Sequence, residues 1–589
     1  MWTALDLRAV LCAAAGIDSA LVAATRRRKH WGWGFEDEQP SRAELSAAAA
    51  GLATHLGFPI GEVEEPVALE AVELARPRVV PPPDLREICA EDIHARASHA
   101  WGKSYMDVVR GFRGRFEYPP DFVARPRDET EVERLLEWCS AERVAAIPYG
   151  GGTSVVGGVS PDVGPEYNGA VSLDLGALDR VLEVDPVSRS ARIQAGALGP
   201  ELERQLAEHG LTLRHFPQSF EFSTLGGWIA TRAAGHFATV WTHIEDLVES
   251  VRAITPAGVW ASRRLPGSGA GVSPDRMLVG SEGTLGVITE AWVRVQPRPS
   301  HRASVGVRFV RFSDGAECVR ALSQAGLHPS NCRLIDPLEA RITLAGDGSR
   351  ALLVLGFEST DHPVDGSMAR ALAICAGHGG EPGEPHGGSR SGDGGGAGAG
   401  GAKRGGAGGG SVGAWREAFL RAPYLRDTFV ALGVLSETFE TAITWERFPT
   451  FHERVVAAAE EAIASAVGGR GVGGRRGAAR EGGAHVSCRF THVYPDGPAL
   501  YFTVLAPARR GDEVEQWAQI KRAVSDVVIA EGGTITHHHA VGRDHRPWYD
   551  RQRPEPFAAA LRGAKAGCDP RGIMNPGVLI DPLPASSSS

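Results

Sequence analysis

The chain has 589 residues, a length too great for one core, so we expect two to four domains. Of these residues, 43% are hydrophobic. A net charge of −9 and a pI near 6.1 disfavour a nucleic-acid partner. The eight cysteines include no CxxC pair, so the sequence predicts neither a disulfide framework nor a zinc site, and a reducing compartment is the default.

Residues 1–115 are predicted to be mostly helical, with a proline-rich extended stretch at 76–83. Residues 5–24 are rich in Ala and Leu and precede a basic run at 26–29. We interpret them as an amphipathic helix that docks on a membrane surface. A targeting peptide is the alternative, although no signal is readable, and no stretch of the chain is apolar for long enough to span a bilayer.

Residues 116–298 alternate short β-rich runs with helices, and their main feature is a glycine-rich loop. A short buried strand at 143–147 leads into Pro148, Tyr149, Gly150, Gly151, Gly152, Thr153 and Ser154. Bare glycine backbone brings N–H groups close to a ligand, and successive N–H groups suit a pyrophosphate. Neither a Walker lysine nor an immediate helix follows, so the ATPase and Rossmann interpretations are weak. A surface turn is the alternative.

Two later segments of the same region have a similar character. The first opens a helical run and contains Pro217, Gln218, Ser219, Ser223, Thr224, Gly226, Gly227 and Thr231. A helix N-terminus with closely approaching backbone is a further place for cofactor contact. The second precedes a strong strand and contains Glu282, Gly283, Thr284, Leu285, Gly286, Val287 and Ile288. A capped helix with packing glycines and a plain turn are the respective alternatives.

Residues 299–536 repeat the mixture of strands and helices around two Gly-rich segments, 377–413 and 468–483, which we predict to be disordered insertions without chemistry. Residues 537–589 form a tail rich in His, Pro and Gly. The whole chain is predicted to be α+β, with at least two sheets.

Three features in these regions are ambiguous from the residues alone. Arg426 is most simply an ion-pair partner of Asp427, and Tyr501 most simply a core aromatic in a strand. The adjacent histidines His537, His538 and His539 are either packed near a turn or placed against an anionic substrate. A metal site is not predicted, because consecutive side chains do not all face one point and no carboxylate cluster accompanies them.

The three glycine-containing segments, in this order and spacing, resemble the FAD-binding domain of the vanillyl-alcohol oxidase/PCMH flavoprotein superfamily over about residues 116–299. The resemblance implies a PCMH-type FAD-binding domain of two subdomains and an α+β cap domain for substrate. It assigns the pyrophosphate to the first segment and the ribityl chain and isoalloxazine to the other two. Some members attach the flavin through a histidine, but residues 148–158 contain none, so we expect non-covalent FAD.

Within that superfamily, the runs 221–228, 424–427, 436–441 and 537–542 resemble the alkyldihydroxyacetonephosphate synthase family. Its members exchange the acyl group of acyl-dihydroxyacetone phosphate for a fatty alcohol in ether-lipid biosynthesis. The resemblance implies catalysis through a flavin N5 adduct without net redox change. It also implies a homodimer, peripheral membrane contact, and a peroxisomal location in a eukaryote or a cytoplasmic or membrane-peripheral one otherwise.

The resemblance also implies residue roles. Tyr501 would move the C1 proton, and neighbouring cations would have to lower its reference pKa of about 10. Arg426 would hold the departing carboxylate, for which a guanidinium is a bidentate match. Arg333 would support the cap, the flavin or the substrate. His537, His538 and His539 would surround the headgroup.

One departure from the family keeps an alternative open. Residues 235–243 differ from the Lys/Asn-rich run of the animal enzymes, which affects how the headgroup phosphate is held. The alternative is an FAD-linked 2-hydroxy-acid dehydrogenase or oxidase acting on D-lactate or D-2-hydroxyglutarate. A flavin-binding protein without catalysis is the third hypothesis.

Overall fold

The computed structural model describes residues 26–384, 411–467 and 483–581, with side chains in the helix that begins at residue 411 described from residue 422 onward. The predicted N-terminal helix at 5–24 and most of both Gly-rich segments lie outside the described residues. The bounds of the first predicted insertion are too wide, because a helix continues to Gly377, a short strand covers Glu381–Pro382 and a helix begins at Ser411.

The described N-terminal region contains three helices: α1 (Arg42–Leu56), α2 (Ile93–Ser98) and α3 (Tyr105–Phe112). Ser41 begins α1 with a capping box, in which its hydroxyl accepts the Glu44 N–H and Glu44 accepts the Ser41 N–H. The prediction of a mostly helical region is wrong for residues 57–92, which have little regular structure. Prolines at 59, 66, 77 and 81–83 explain this, since proline removes the donors that a helix needs.

The first sheet has four strands in the order β1-β2-β4-β3. They are β1 (Cys89–Ala90), β2 (Phe122–Ala124), β3 (Val144–Tyr149) and β4 (Gly169–Asp174). Helix α4 (Glu129–Glu142) connects β2 to β3, both of which run parallel to β4. It buries Val132, Leu135, Leu136 and Cys139, the spacing of one helical face. The carboxyl end of β3 opens into the glycine-rich loop.

The second sheet has five antiparallel strands in the order β5-β6-β10-β8-β9. They are β5 (Val181–Asp185), β6 (Ser190–Gln194), β8 (Val248–Thr255), β9 (Gly258–Ala261) and β10 (Val287–Arg294). Around it lie α5 (Gly199–Ala207), α6 (Leu225–Thr231), α7 (Pro274–Leu278) and the strand pair β7 (Leu211–Thr212) and β11 (Gln296–Pro297). Ile254 and Val287 pack into the core of the first sheet, so the two sheets share one interior.

The third sheet has seven antiparallel strands in the order β15-β12-β14-β13-β17-β18-β16. They are β12 (His301–Phe309), β13 (Asn331–Ile335), β14 (Ala351–Ser359), β15 (Glu381–Pro382), β16 (Val434–Ala442), β17 (His485–Val493) and β18 (Pro498–Pro507). The helices of this region are α8 (Phe312–Gln324), α9 (Pro337–Ile342), α10 (Asp365–Gly377), α11 (Ser411–Ala431), α12 (Phe448–Val467) and α13 (Glu513–Ala530).

Side chains alternate between the two faces of this sheet. Cys488, Phe490, Phe502 and Val504 belong to the core that also holds residues of α8, α10, α12 and α13. Their neighbours Arg489, Tyr501 and Thr503 line a cavity on the opposite face. The sheet therefore presents an apolar face to helices and a polar face to the cavity.

The C-terminal tail contains α14 (Arg546–Gln552) and α15 (Glu555–Cys568) and then returns to the first sheet. Met574 forms an isolated parallel bridge with Ala146 of β3. The buried Lys565 ammonium donates to Asp569 and to the carbonyl oxygens of Thr284 and Met574. The C-terminal tail therefore packs against the first sheet and the segment that contains Thr284. The predicted α+β fold is confirmed.

Candidate active site

The phosphate loop, residues 148–154, leaves β3 and forms one wall of a continuous cavity. Its glycines permit close approach: a Cβ on Gly151 would overlap the carbonyl oxygen of Phe222, and one on Gly150 the hydroxyl of Thr224. In the described part of the chain, the backbone N–H groups of residues 150–154 donate to no backbone acceptor. Adjacent N–H groups bordering a cavity suit a diphosphate, so the loop fits the FAD that the sequence predicts.

The other two predicted segments border the same cavity. Thr224 caps α6 by accepting the Gly227 N–H, and Thr224, Gly226 and Gly227 at this end of the helix border the cavity. Of the predicted cofactor residues, the wall contains Pro148, Tyr149, Gly150, Gly151, Gly152, Thr153, Ser154, Pro217, Gln218, Ser219, Ser223, Thr224, Gly226, Gly227, Thr231, Glu282, Gly283, Gly286 and Ile288.

Three predicted cofactor residues do not border the cavity. Thr284 is fully buried, and its hydroxyl donates to the carbonyl oxygen of Ser281. Leu285 and Val287 pack in the cores of the second and first sheets. These three side chains are therefore not placed to contact the cofactor: Leu285 and Val287 alternate with the cavity-lining Gly286 and Ile288, and Thr284 is held inside its turn by the bond to Ser281.

Glu282 ties the cofactor cradle to the C-terminal tail. Its carboxylate accepts the N–H groups of Val541 and Gly542 at 2.9 and 2.8 Å. Asn575 donates to its carbonyl oxygen at 2.7 Å. Burial raises the pKa of Glu282 to about 7, although the two N–H donors oppose this. Val541 and Gly542, which follow the three histidines, are therefore hydrogen-bonded to a residue of the predicted flavin site.

Tyr501 stands in the middle of a polar row across the third sheet. Its register partner on β17 is Arg489, and its partner on β16 is Glu440. The Arg489 guanidinium carbon lies 3.8 Å from the centroid of the Tyr501 ring. Arg489 also forms a buried ion pair with Glu339. Arg489 is thus a cation in direct contact with the face of the Tyr501 ring.

The two predicted substrate arginines also border the cavity. Arg426 Nη1 donates to the carbonyl oxygen of Lys103 at 2.6 Å. The ion pair expected between Arg426 and Asp427 is not the one formed, because Asp427 instead binds the Lys29 ammonium at 3.0 Å. Arg333 donates to the carbonyl oxygen of His236 at 3.2 Å, and burial lowers its pKa to about 10.

The histidine segment, residues 536–539, wraps around the Glu440 carboxylate, which accepts the N–H groups of all three histidines. His538 and His539 border the cavity beside Tyr501. The ring of His538 stacks with that of Tyr501 at a centroid distance of 6.3 Å, and His539 presents its edge at 5.7 Å. The structure therefore gathers two of the three predicted histidines around the phenol.

His537 points away from the cavity wall into a second cluster. Its Nε2 is hydrogen-bonded to the Tyr494 hydroxyl at 2.7 Å, and its ring lies 5.0 Å from that of His492. Burial holds the pKa values of His537 and His492 well below the usual value, so both are neutral near pH 7. One nitrogen from each of His492, His537 and His538 lies within 4.8 Å of the others, a spacing compatible with a shared metal ion. The sequence prediction of no metal site stays a prediction.

The cavity is also lined by a set of apolar side chains from α1, α11, β18 and the region of α9, which we name the apolar arm. Aliphatic and aromatic side chains suit a hydrocarbon chain; the polar residues His55, Glu339 and Thr343, their neighbours in sequence, line the cavity too. The lining residues are Leu52, Leu56, Ile342, Leu344, Leu425, Phe429 and Leu505.

Sequence reasoning missed Arg489, Glu440 and His492 as site residues. The available signal was a charged residue on the polar face of a strand: Arg489 sits between the apolar Cys488 and Phe490, and Glu440 follows Phe439. A buried charge in a central strand needs partners, which points to a polar site on that face.

Comparisons with known proteins agree with this geometry. Residues 120–262 match the family described as "FAD binding domain", and residues 298–579 match "FAD linked oxidases, C-terminal domain". The fold and the site therefore define an FAD-dependent flavoenzyme. Among the described residues, no helix combines the length and hydrophobicity needed to cross a bilayer.

Relatives that match over most of both chains define the class of flavoenzyme more closely. The chain is 30% identical to the alkyldihydroxyacetonephosphate synthase of Trypanosoma brucei brucei over 88% of this chain and 84% of the relative. It is 28% identical to the enzyme of that name from Dictyostelium discoideum, over 88% and 85%. A solved structure of an alkyldihydroxyacetonephosphate synthase superposes with a TM-score of 0.71 at 26% identity, covering 93% and 98%. The chain belongs to the alkyldihydroxyacetonephosphate synthase family, which confirms the resemblance.

Proposed function

We propose that this enzyme exchanges the acyl group of acyl-dihydroxyacetone phosphate for a fatty alcohol, with FAD bound non-covalently. The observation that carries the proposal is one cavity that joins the phosphate loop, the Tyr501 row and the apolar arm. A 2-hydroxy-acid oxidoreductase has no use for a hydrocarbon channel beside its reacting groups. A lipid-exchange enzyme needs one for both of its amphiphilic substrates.

The cofactor cradle supports the first part of the proposal. Bound FAD would supply an electrophilic ring at the junction of the segments 217–231 and 282–288. The N–H groups of residues 150–154 would hold its diphosphate. Because residues 148–158 contain no histidine, the hydrogen bonds of the cradle would carry the binding.

Tyr501 is the group that would move the proton at C1 of the headgroup. It is only 6% exposed, so water competes little for its hydroxyl. Arg489 lies over its ring, and His538 and His539 lie beside it. Proton removal by a positioned side chain is worth about 100-fold to 10,000-fold in rate.

Arg426 and the apolar arm would receive the acyl chain. Arg426 lies on the same wall as Leu425 and Phe429, so its guanidinium meets the carboxylate end of a chain lying in the arm. A planar fork of N–H donors pairs with a carboxylate in two hydrogen bonds. The same arm would take the fatty alcohol after the acid has left.

Three further statements belong to the proposal. A peripheral contact with membranes follows from the two lipid substrates, and a homodimer follows from the family resemblance. The location stays as the sequence predicts it: peroxisomal in a eukaryote, otherwise cytoplasmic or at the membrane periphery. Light scattering of the purified protein and flotation with liposomes measure the first two.

The experiment that tests the function needs no electron acceptor. The yellow holoprotein is incubated with palmitoyl-dihydroxyacetone phosphate and labelled hexadecanol, and labelled alkyl ether is the expected product. Tyr501→Phe should keep its flavin and lose ether formation by at least about 100-fold. Absence of ether product, together with flavin bleaching by D-lactate or D-2-hydroxyglutarate, would establish the oxidoreductase alternative instead.

A further inference from the structure

Glu440 is a buried carboxylate with an unusual set of partners. It is 2% exposed and accepts the N–H groups of His537, His538 and His539 at 2.6, 2.9 and 2.8 Å. The Thr536 hydroxyl donates to it as well. A carboxylate offers about four lone-pair positions, and this one segment of chain fills them.

Two imidazoles also approach the carboxylate from the same segment. His538 Nδ1 lies 3.2 Å and His539 Nδ1 3.9 Å from its oxygens. A buried carboxylate with this many donors resists displacement, because each hydrogen bond lost leaves a buried lone pair unsatisfied.

The position of Glu440 in the third sheet relates the histidine segment to Tyr501. Glu440 and Tyr501 are register partners on β16 and β18, so the sheet fixes the spacing between them. The histidine segment has no strand or helix of its own to fix it. Its backbone donors meet the sheet at Glu440, and that contact sets where the imidazoles lie relative to the phenol.

We propose that Glu440 is a positioning residue, which holds His538 and His539 against Tyr501 so that the three side chains act together on the substrate proton. The inference rests on the proposed function for its kinetic consequence. Its structural consequence, an ordered histidine segment, is independent of which reaction the enzyme performs.

The test compares Glu440→Gln with Glu437→Gln in the full-length holoprotein. Glu437 lies on the same strand, is also buried, and binds Trp517 and the Lys521 ammonium at 3.2 Å on the helix-facing side of the sheet. Glutamine keeps the shape of the side chain, but its NH₂ group cannot accept, so at least one histidine N–H loses its partner.

Both variants should retain FAD. Glu440→Gln should lower kcat for ether formation at least about 20-fold with KM within about twofold, because the substrate-binding arm is untouched. Glu437→Gln should change kcat by less than about twofold. If Glu440→Gln does not fold, Thr536→Val removes one donor to the same carboxylate and should lower kcat several-fold. Unchanged kcat in a folded, flavin-loaded Glu440 variant overturns the proposal.

A second readout separates this inference from the proposed function. Diethyl pyrocarbonate labels accessible neutral imidazoles, and mass spectrometry of the peptide that contains residues 537–539 gives the rate. Glu440→Gln should label at least about fivefold faster than wild type, and Glu437→Gln at the wild-type rate. Equal rates in all three proteins refute positioning, whereas wild type without ether product refutes only the function.

Discussion

Replacing Gly226 by alanine tests whether the contact between α6 and Ala195, the residue that follows β6, shapes the flavin cavity. Gly226 lies in the first turn of α6, and its N–H donates to the carbonyl oxygen of Ala195 at 2.7 Å. A Cβ at this position would lie 2.6 Å from the Ala195 Cβ and 2.9 Å from its carbonyl oxygen. Ordinary contact begins near 3.4 Å, so the helix must retreat by about 0.8 Å, toward the cavity that it lines.

Two opposing effects decide the outcome. Alanine in a helix is favoured over glycine by about 1 kcal/mol, whereas overpacking a buried contact costs about 1–3 kcal/mol. The second effect wins here because the atoms in the way belong to backbone and a Cβ, which have no rotamer to change. A helix displaced by nearly 1 Å also moves Gly227 and Thr231, which border the cavity, so the FAD dissociation constant should rise at least about tenfold.

The matched control is Gly563→Ala in α15, where an added Cβ meets nothing within 4 Å. Only helix propensity acts there, so this variant should melt higher than wild type and keep full flavin content. The assays are the ratio of absorbance at the flavin band to that of the protein, FAD titration of the stripped protein, and thermal melting. A Gly226→Ala protein with wild-type flavin affinity and a raised melting temperature would refute the reasoning.

Four further outcomes follow from the site. The pKa of Glu282, raised by burial to about 7 from the ordinary 4.5, means that the folded state binds the extra proton, so its contribution to stability is present below about pH 4.5 and lost as the pH rises to about 7. Denaturant unfolding of the FAD-free protein at pH 5.5 and 7.5 should show a loss of about 2 kcal/mol that Glu282→Gln lacks; equal losses contradict it. Arg489→Lys keeps the charge but loses the planar contact with the Tyr501 ring, and kcat should fall at least about tenfold with flavin retained. Arg426→Gln should raise KM for the acyl substrate about tenfold or more, and an unchanged KM would remove Arg426 from carboxylate binding. Ile342→Trp narrows the apolar arm, so kcat/KM should fall at least about tenfold for a palmitoyl substrate and stay within about twofold for a butyryl one.

The cofactor cradle was readable from the sequence because its determinants are local. Consecutive glycines at 150–152 after a buried strand specify bare backbone at a strand end, whatever the rest of the chain does. The same local reasoning overreached at Leu285 and Val287, which alternate with cavity-lining neighbours and face the core, and at Thr284, whose hydroxyl is bonded within its own turn. It also overreached at residues 57–92, where the prolines outweighed the helical pattern of the flanking segments.

The surroundings of Tyr501 were harder to predict from the sequence, because they depend on pairing between strands that are far apart in the chain. Glu440 and Arg489 reach Tyr501 only through the register of β16, β17 and β18. A shift of one residue in either pairing would send these side chains to the helix-facing side. The family resemblance predicted Tyr501, Arg426 and the histidines as site residues, but their neighbours Glu440 and Arg489 came from the geometry alone.

That register limits where the chain tolerates changes in length. Val493 and Pro498 are joined by a tight four-residue turn in which Tyr494 and Gly497 exchange backbone hydrogen bonds. Adding a single residue there would shift the register of the pair by one residue. The shift would move the side chain of either Arg489 or Tyr501 to the other face of the sheet, out of the cavity. By contrast, the two Gly-rich stretches connect elements whose strand register does not depend on the length of the connection. Lineages of this family should therefore vary freely in length at those stretches and keep the 493–498 hairpin invariant in length, and loop-length libraries aimed at new substrates should spare it.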